Sequence, residues 1–322
     1  MGITPASPET SDAILASTVQ HYAAREMVDN IFNKNALLMY LKANEQTFDG
    51  GKYIGVPLMY KKSTDLQVYS GLQAINITKQ EPFVEGNYVM KEYVCPIVMS
   101  ERQDAQNSGP ESMIGLWASL MQHAELTIQD GMEGDAFAGN ALNALKILGL
   151  AQHVAATGTV GGFNKASYAW WQAKTRASSS FNTAGTGDGL SKMRLLYTDC
   201  SGGGGDPPNF IIGDSVFYTG FEGLLFNQLR YVNTQMANAG FENLMFKQAT
   251  VTWSLQATAN TAYFLNTKYI FLKSHRRYNM VAGAPVSLEP IGQLAKAVLI
   301  KWKGELVATR ANRQGWLTGC NT

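Results

Sequence analysis

The sequence predicts an α+β protein built around one long amphipathic helix, and three stretches support this fold class. Apolar residues recur every three or four positions up to residue 138, the pattern of a helix that buries one face. Two extended, β-rich runs at 52–60 and 88–98 precede that helix. Near the end of the chain, residues 295–302 alternate as in a strand with one apolar face.

The long helix begins at a capping box and is predicted to run from about 108 to 138. The Ser108 hydroxyl can accept a free amide of the first turn, Glu111 can reach back, and Pro110 loses no hydrogen bond there. At about 1.5 Å per residue, the stretch 111–138 is about 40 Å long, so we call it the spine helix. Its predicted buried face is Met113, Trp117, Leu120, Ala124, Ile128 and Met132, opposite Glu111, Gln122, Glu125, Gln129 and Glu133.

The composition favours a chain much of whose surface is covered by something. With 322 residues, two subdomains are expected. Hydrophobic residues make up 45% and charged residues 16%, which is a low charge content for an isolated soluble monomer. A net charge of +1 gives no reason to expect a dedicated nucleic-acid or membrane binder.

Cysteines and targeting signals give no sign of secretion. Cys95, Cys200 and Cys320 are distant and odd in number, so neither a disulfide framework nor a zinc site is indicated. The first residues lack a basic patch and an apolar run, which predicts a protein kept in a cytosol.

The two β-rich runs predict a long hairpin with an irregular tip. At about 3.3 Å per residue each leg reaches roughly 35 to 40 Å, and a free ribbon of that length is not stable in water. The hairpin must therefore lie on something, and it is predicted to be an arm that projects from one side of the body; the alternative is that it folds back on its own domain. Residues 11–44 before it predict an arm with one or two short helices.

The middle of the chain predicts a small α/β layer domain. A helix at 190–200 is followed by a strand at 209–213 and by a helix that Asp214 caps and that runs through Asn227. Further strands are expected at 244–246 and 250–253.

Two turns are predicted in the last third of the chain. Residues 262–265 and 269–272 are expected to form a hairpin around Asn266. The strand 295–302 is expected to turn at Lys303-Gly304 and return as 305–310.

No motif in the sequence indicates catalysis. His21, His123, His153 and His275 lie in unrelated contexts, and no metalloprotease, P-loop or nucleophile-elbow pattern is present. The run 202–205 is read as a flexible loop, because no Gly-Lys-Ser/Thr follows it. The basic residues Arg276, Arg277, Arg310 and Arg313 suit either phosphate contacts or a salt-bridged subunit surface.

The order of these elements resembles the major capsid proteins of tailed double-stranded DNA bacteriophages, which have the Hong Kong 97-type coat fold. The similarity runs from about residue 34 to 319. The stretches that carry it are Gly50-Gly51, Pro96-Ile97-Val98-Met99-Ser100, Asp104, Asn107-Ser108-Gly109, Gly161-Gly162-Phe163-Asn164-Lys165, Trp170-Trp171, 241–253, Phe264-Leu265-Asn266-Thr267 and 306–315.

The resemblance implies a division into four parts. These are an N-terminal arm (1–44), a peripheral P domain (45–62, 86–147 and 286–322), an extended hairpin loop (50–98) and an axial A domain (148–285). It also implies a shell of hexamers and pentamers that encloses double-stranded DNA through non-specific contacts, with a portal protein at one vertex.

The same resemblance sets expectations about partners. The virion capsid would be assembled in the host cytoplasm, without a cofactor, enzymatic turnover or membrane. A scaffolding protein, if used, would be separate because the arm begins almost at Met1, and a decoration protein is also compatible. No covalent crosslink is predicted at Lys61, Lys62 or Lys79, because lysine on an exposed ribbon usually serves solubility.

Subunit contacts are expected at 11–44, 63–85, 178–189 and 201–208. The candidate anchors are Tyr60, Tyr69 and Phe83, which could equally pack within the hairpin, together with the four arginines above. Two rival functions are an encapsulin-like compartment and, more distantly, an α+β enzyme with an unrecognised site.

Overall fold

A computed structural model describes residues 35–75, 77–106, 116–138, 143–178, 180–181, 187–225 and 244–321. The helices in these ranges are α1 (Ala36–Ala43), α2 (Glu101–Gln106), α3 (Leu116–Ala138), α4 (Leu150–His153), α5 (Gly189–Ser201) and α6 (Ser215–Leu225). None of these described helices combines the length and apolar character needed to cross a lipid bilayer.

The strands are short except for β4 and β15. They are β1 (Gln46–Phe48), β2 (Ile54–Met59), β3 (Phe83–Tyr88), β4 (Lys91–Ser100), β5 (Thr159–Val160), β6 (Phe163–Asn164), β7 (Lys174–Ala177), β8 (Phe210–Gly213), β9 (Leu244–Phe246), β10 (Ala249–Trp253), β11 (Thr261–Leu265), β12 (Ile270–His275), β13 (Val281–Ala282), β14 (Val286–Ser287), β15 (Ala295–Ala308) and β16 (Gly315–Thr318).

The chain divides into two units. Of the described residues, the smaller unit contains those within 92–131 and 277–303, and the larger unit contains those within 35–91, 132–276 and 304–321. The helix α3 and the strand β15 each contribute residues to both units.

The larger unit holds a six-stranded mixed sheet with the order β7-β16-β11-β8-β10-β9. The strand β8 is wholly buried and pairs parallel with β10 and antiparallel with β11. The helix α5 packs on β7 and β16, and α6 packs on β10, which confirms the predicted α/β layers. Their shared core includes Met193, Leu196, Tyr197, Phe217, Phe221, Val251, Phe264 and Leu317.

The predicted cap of α6 is present. The Asp214 carboxylate accepts a hydrogen bond from the Phe217 amide at 2.9 Å through Oδ1 and from the Asn260 amide at 2.7 Å through Oδ2. One side chain therefore starts the helix and also fixes the approach to β11. The described part of the helix ends at Leu225, and the predicted extension to Asn227 lies outside the described residues.

A second core of the larger unit lies under the hairpin, and we call it the root cluster. It joins the hairpin strands β2 and β3 to β12, to the end of β15 and to the segment that contains Trp171. Its buried members are Ile54, Val56, Leu58, Tyr88, Val160, Trp171, Phe271, Val307 and Ala311. Beside it, β1 pairs parallel with β12, and β12 pairs antiparallel with residues 304–308 of β15.

The smaller unit is built on the first part of β15. The strands β13 and β14 pair antiparallel with it, and β4 pairs with β15 as well. The rings of Tyr93 and Trp302 lie 5.8 Å apart, and the Lys303 ammonium lies 2.8 Å from the Glu92 carboxylate. The sheet thus contains an aromatic pair, in which Trp302 is buried and Tyr93 is half-buried, with an ion pair between the adjoining residues Glu92 and Lys303.

The predicted hairpin exists, but the prediction of its return strand was wrong. The ladder joins β2 to β3, from the pair Ile54 and Tyr88 to the pair Met59 and Phe83. Most of the predicted return leg, 88–98, belongs instead to β4, which pairs with β15. The paired ribbon therefore covers 54–59 and 83–88, about 20 Å at about 3.3 Å per residue, and is shorter than predicted.

The predicted hairpin around Asn266 was also wrong. Both strands form, but β11 pairs with β8 and β16 whereas β12 pairs with β1 and β15, in a different sheet. The Gln314 side chain accepts from the Asn266 amide at 2.9 Å and donates to the Asn266 carbonyl at 3.2 Å. Gln314, from a distant part of the chain, thus supplies hydrogen-bond partners for both backbone groups of Asn266. The two flanking strands can then enter different sheets.

The predicted turn at Lys303-Gly304 does not form. The strand β15 continues through both residues, because Gly304 pairs with Ser274 of β12 and the Lys303 amide donates to the Tyr278 carbonyl at 2.9 Å. Strand partners on both sides of this point hold the backbone extended.

The spine helix is confirmed in its described part, α3, whose last described residue is Ala138. Its predicted start, capping box and Met113 lie outside the described residues. Ala124, Ile128 and Met132 are buried as expected. The prediction that Glu133 lies on the exposed face was wrong, because its side chain is buried.

Glu133 is buried and joins three elements of the larger unit. Its carboxylate accepts from the Leu38 amide in the first turn of α1 at 3.3 Å and from the Ser254 hydroxyl at 2.9 Å. It therefore caps α1, the one described piece of the predicted arm, from another helix.

Candidate assembly interface

The root of the hairpin is rigidly seated in the larger unit. The inward-facing residues Ile54, Val56 and Leu58 are buried in the root cluster. The amide of Asn87 donates to the Gly161 carbonyl at 3.0 Å. Gly161 has a φ of +62°, and a Cβ there would lie 3.1 Å from the Tyr88 ring, so glycine is needed at this contact.

Two buried basic side chains support the root. The Lys165 ammonium donates to the carbonyls of Gln152, His153 and Ala155 at 2.7, 2.6 and 2.9 Å, and burial lowers its pKa to about 8. The His153 Nε2 lies 3.0 Å from the Leu306 carbonyl, and burial lowers the pKa of this imidazole to about 3. The ammonium thus occupies the carbonyl end of α4 where a cation is electrostatically favoured.

One buried carboxyl group completes the root. Glu305 accepts from the amides of Leu148 and Leu306 at 2.7 and 2.9 Å, and burial raises its pKa to about 8. The Tyr88 hydroxyl donates to the Ala308 carbonyl at 2.9 Å, and burial raises the pKa of this phenol. These bonds tie the return strand of the hairpin to the end of β15.

The far end of the hairpin has the opposite character. We call residues 66–77 the tip; residue 76 lies outside the described part. Leu66, Val68 and Ile77 are 92%, 98% and 90% exposed, and Leu72 is fully exposed. Such a concentration of solvated apolar side chains on one projecting loop is typical of a surface that binds another protein.

The three predicted aromatic anchors differ in their surroundings. Tyr60 packs its ring 5.7 Å from that of Trp170, so part of it is used within the subunit. Tyr69 on the tip is 56% exposed and Phe83 at the end of the ladder is 67% exposed. Tyr69 and Phe83 are therefore available to a partner, and their role in contacts stays a prediction.

The four predicted arginines are dispersed. Arg276 pairs with Asp49 at 3.2 Å, and Arg277 is an exposed residue of the smaller unit. Arg310 pairs with Asp206 at 3.2 Å and lies over the Tyr269 ring, 5.0 Å from its centre. Arg276 and Arg310 thus have ion-pair partners in their own chain.

Arg313 has a structural role at the end of α5. Its guanidinium donates to the Cys200 carbonyl at 3.3 Å and fills the space that a side chain at position 202 would need. Gly202 has a φ of +55°, so glycine is required for both conformation and space. The predicted flexible loop therefore begins as a fixed helix cap.

The described residues contain no group of three or more histidine, cysteine or acidic side chains arranged to hold a metal. His153 is a buried structural residue, and His275 packs its ring 5.3 Å from that of Phe48. Sequence reasoning missed the roles of Lys165 and Glu305, because a lone charged residue carries no pattern that reveals burial.

Comparisons with known proteins rest on structure. No protein-family model matches the chain, and no curated protein matches its sequence. The capsid asymmetric unit of cyanophage A-1(L) matches with a TM-score of 0.72 at 12% identity, over 93% of this chain and 96% of the other. The capsid of a native GTA particle matches at 0.62 with 10% identity, over 96% and 98% of the two chains.

A shell protein of a different kind matches as well. The holo-SrpI encapsulin complex of Synechococcus elongatus PCC 7942 has a TM-score of 0.60 at 8% identity, over 95% of each chain. All three similarities extend over nearly the whole of both chains. The chain therefore has the Hong Kong 97-type fold of these capsid and encapsulin shell proteins.

Proposed function

We propose that this chain is the major capsid protein of a tailed double-stranded DNA bacteriophage. The observation that carries the proposal is the apolar tip, solvated in the subunit, on a chain whose fold is that of phage capsid proteins. In an isolated soluble protein the apolar side chains of such a loop would stay in contact with water, whereas a shell subunit can bury them against its neighbour.

The proposed mechanism is self-assembly through hexamers and pentamers into an icosahedral shell. Fully burying one leucine or valine side chain contributes about 1.5–3 kcal/mol before the entropy of association is subtracted. Each contact is therefore modest, but a closed shell repeats it many times, so cooperative assembly follows from weak pairwise contacts. No step of this function needs catalysis or a cofactor.

The proposal includes the parts and partners that the fold suggests. The arm (1–44), P domain (45–62, 86–147 and 286–322), extended loop (50–98) and A domain (148–285) would each contribute subunit contacts. The shell would enclose the genome through non-specific contacts, carry a portal protein, and use separate scaffolding or decoration proteins where the virus encodes them. Assembly would take place in the host cytoplasm, and the product would be the virion capsid.

A second candidate is an encapsulin-like compartment that holds cargo protein instead of a genome. The similarity to the SrpI encapsulin over 95% of each chain favours it specifically. The two candidates share the shell and differ only in its contents, so nuclease-resistant DNA in particles isolated from the native source distinguishes them from particles filled with protein.

The first experiment is negative-stain microscopy with sedimentation of the chain expressed alone and together with its neighbouring genes. Closed round particles, tubes or rings of capsomers are expected. A uniform monomer under both conditions would refute the shell function in either form.

A further inference from the structure

The tip is joined to the hairpin ladder through a segment with its own polar contacts. We call residues 63–65 and 78–80 the neck. The Asp65 carboxylate accepts from the Thr78 hydroxyl at 2.5 Å and from the Gln80 amide nitrogen at 2.8 Å. The same Gln80 nitrogen lies 3.4 Å from the Thr64 hydroxyl. These contacts connect the outgoing and returning sides of the loop.

The neck lies beyond the end of the regular ladder. The last ladder pair is Met59 with Phe83, and one more bond follows from the Tyr60 amide to the Pro82 carbonyl at 3.1 Å. Past this bond, the contacts centred on Asp65 hold the two sides of the loop together. They therefore restrict the directions in which the tip can extend from the ladder.

The groups in the neck can form strong hydrogen bonds, and we call those that Asp65 accepts from Thr78 and Gln80 the brace. An ionised carboxylate offers several acceptor positions to hydroxyl and amide donors, and such charge-assisted bonds are shorter and stronger than neutral ones. The Thr78 hydrogen bond, followed by that of Gln80, lowers the pKa of Asp65, so the charged form is the one that these donors stabilise. The Ser63 hydroxyl accepts from the Asp65 amide at 3.2 Å and orients the same residue.

We infer that Asp65 is a positioning residue for assembly, which holds the neck closed so that the apolar tip is presented in one place to a second copy of this chain. The inference rests on the proposed function. It deepens that function by separating residues that make the contact, on the tip, from a polar residue that reduces the entropy lost when the contact forms.

The test compares Asp65→Ala with Lys79→Ala. Lys79 lies between the two donors but pairs with Glu81 at 2.8 Å and takes no part in the brace, so it is the matched control. Because Lys79 is exposed and Asp65 is only half-buried, in a loop outside the two cores, both variants should unfold at the wild-type temperature. The lowest protein concentration that yields particles should rise roughly five- to tenfold for Asp65→Ala and stay unchanged for the control.

A second measurement uses the unassembled subunit and does not depend on shells. Chymotrypsin cleavage at Tyr69 and Leu72 should be roughly three- to fivefold faster in Asp65→Ala, because an open neck frees the tip to enter the protease. Cleavage at the wild-type rate would overturn the brace, whatever the assembly result.

A disulfide across the neck tests whether Asp65 positions the tip or contacts the partner directly. In the Asp65→Ala background, Thr64→Cys with Gln80→Cys places two thiols across the neck. Oxidation should restore both the assembly threshold and the slow cleavage, and reduction should remove both. If oxidation slows cleavage but leaves assembly impaired, Asp65 contacts the partner directly and the inference is wrong. Normal shells from Asp65→Ala alone would remove the inference and leave the proposed function intact.

Discussion

The root and the tip of one hairpin differ in the burial of their apolar residues. At the root, Leu58 and Tyr88 are buried in the same subunit, and the Tyr88 hydroxyl donates a hydrogen bond to the Ala308 carbonyl. At the tip, Leu66 and Val68 extend into solvent. The root therefore packs within its own chain, whereas the tip, under the proposed function, would be buried only against another chain. Stability and assembly should accordingly respond to different mutations.

The largest effect is expected at the tip. Replacing Leu66, Val68, Leu72 and Ile77 by serine removes the apolar surface without touching the root, so the subunit should keep its unfolding free energy within about 0.5 kcal/mol. Particle formation should be lost, as measured by sedimentation and microscopy. Normal particles from this variant would mean that the tip is not the contact.

Trp171→Ala tests the root, and it should lower the stability of the subunit. Trp171 is buried in the root cluster and donates from Nε1 to the Val160 carbonyl at 3.0 Å. Its truncation should lower the unfolding free energy by about 3–5 kcal/mol, measured by denaturant titration of the unassembled subunit. Leu72→Ala at the tip is the control and should leave that free energy unchanged.

Glu305 should give the root a pH dependence. Burial raises its pKa from 4.5 to about 8, so between these values the folded chain holds a proton that the unfolded chain has lost, and stability falls as pH rises. Burial lowers the pKa of His153 from 6.5 to about 3, which gives the opposite slope below pH 6.5. The loss caused by Glu305 is therefore unopposed by His153 from about pH 6.5 to 8 and amounts to about 2 kcal/mol.

Glu305→Gln is the variant that isolates this effect. The amide oxygen can still accept from Leu148 and Leu306, but position 305 no longer titrates. Denaturant titrations at several pH values should show a decline for the wild type and a flatter curve for the variant. Identical slopes would show that Glu305 is already ionised in the folded chain at neutral pH.

The smallest effect is expected at a position in neither region. Asp214→Ala removes the cap of α6 and should lower the unfolding free energy by about 1 kcal/mol. Because the cap contacts neither the root cluster nor the tip, the assembly threshold should stay at its wild-type value. A raised threshold would show that subunit stability alone limits assembly, and the separation between root and tip would then fail.

Individual strands and helix starts were predicted better than strand pairing. The strand β8 and the Asp214 cap were recognised because an apolar run, a capping residue and a helix follow one another directly. Strand partners were predicted poorly. Thr261–Leu265 and Ile270–His275 are adjacent in sequence, yet contacts made by Gln314 near the chain end accompany their separation into two sheets.

The candidate interface was predicted only in outline. The prediction that Tyr69 and Phe83 are exposed is confirmed, because the composition of the loop is readable from the sequence, whereas their contacts with a partner stay a prediction. The neck was not predicted, because Asp65 is separated in sequence from its partners Thr78 and Gln80 and the loop between them has no periodicity. Glu133 was misplaced for a related reason: an acidic residue at a helical position reads as solvated unless its distant donors are known.

The seated root and the projecting tip together act as a lever. The ladder is held along most of its length by Ile54, Val56 and Leu58, so the lever arm is the loop beyond Met59 and Phe83. For a contact about 20 Å beyond the ladder, a rotation of about 5° at the root would displace the contact by about 2 Å, close to half the spacing between neighbouring strands. Side chains packed around Tyr88 and Gly161 therefore set the angular tolerance of a contact made far from them. Mild repacking of this cluster would change the curvature or regularity of an assembled shell before it changed whether the subunit folds.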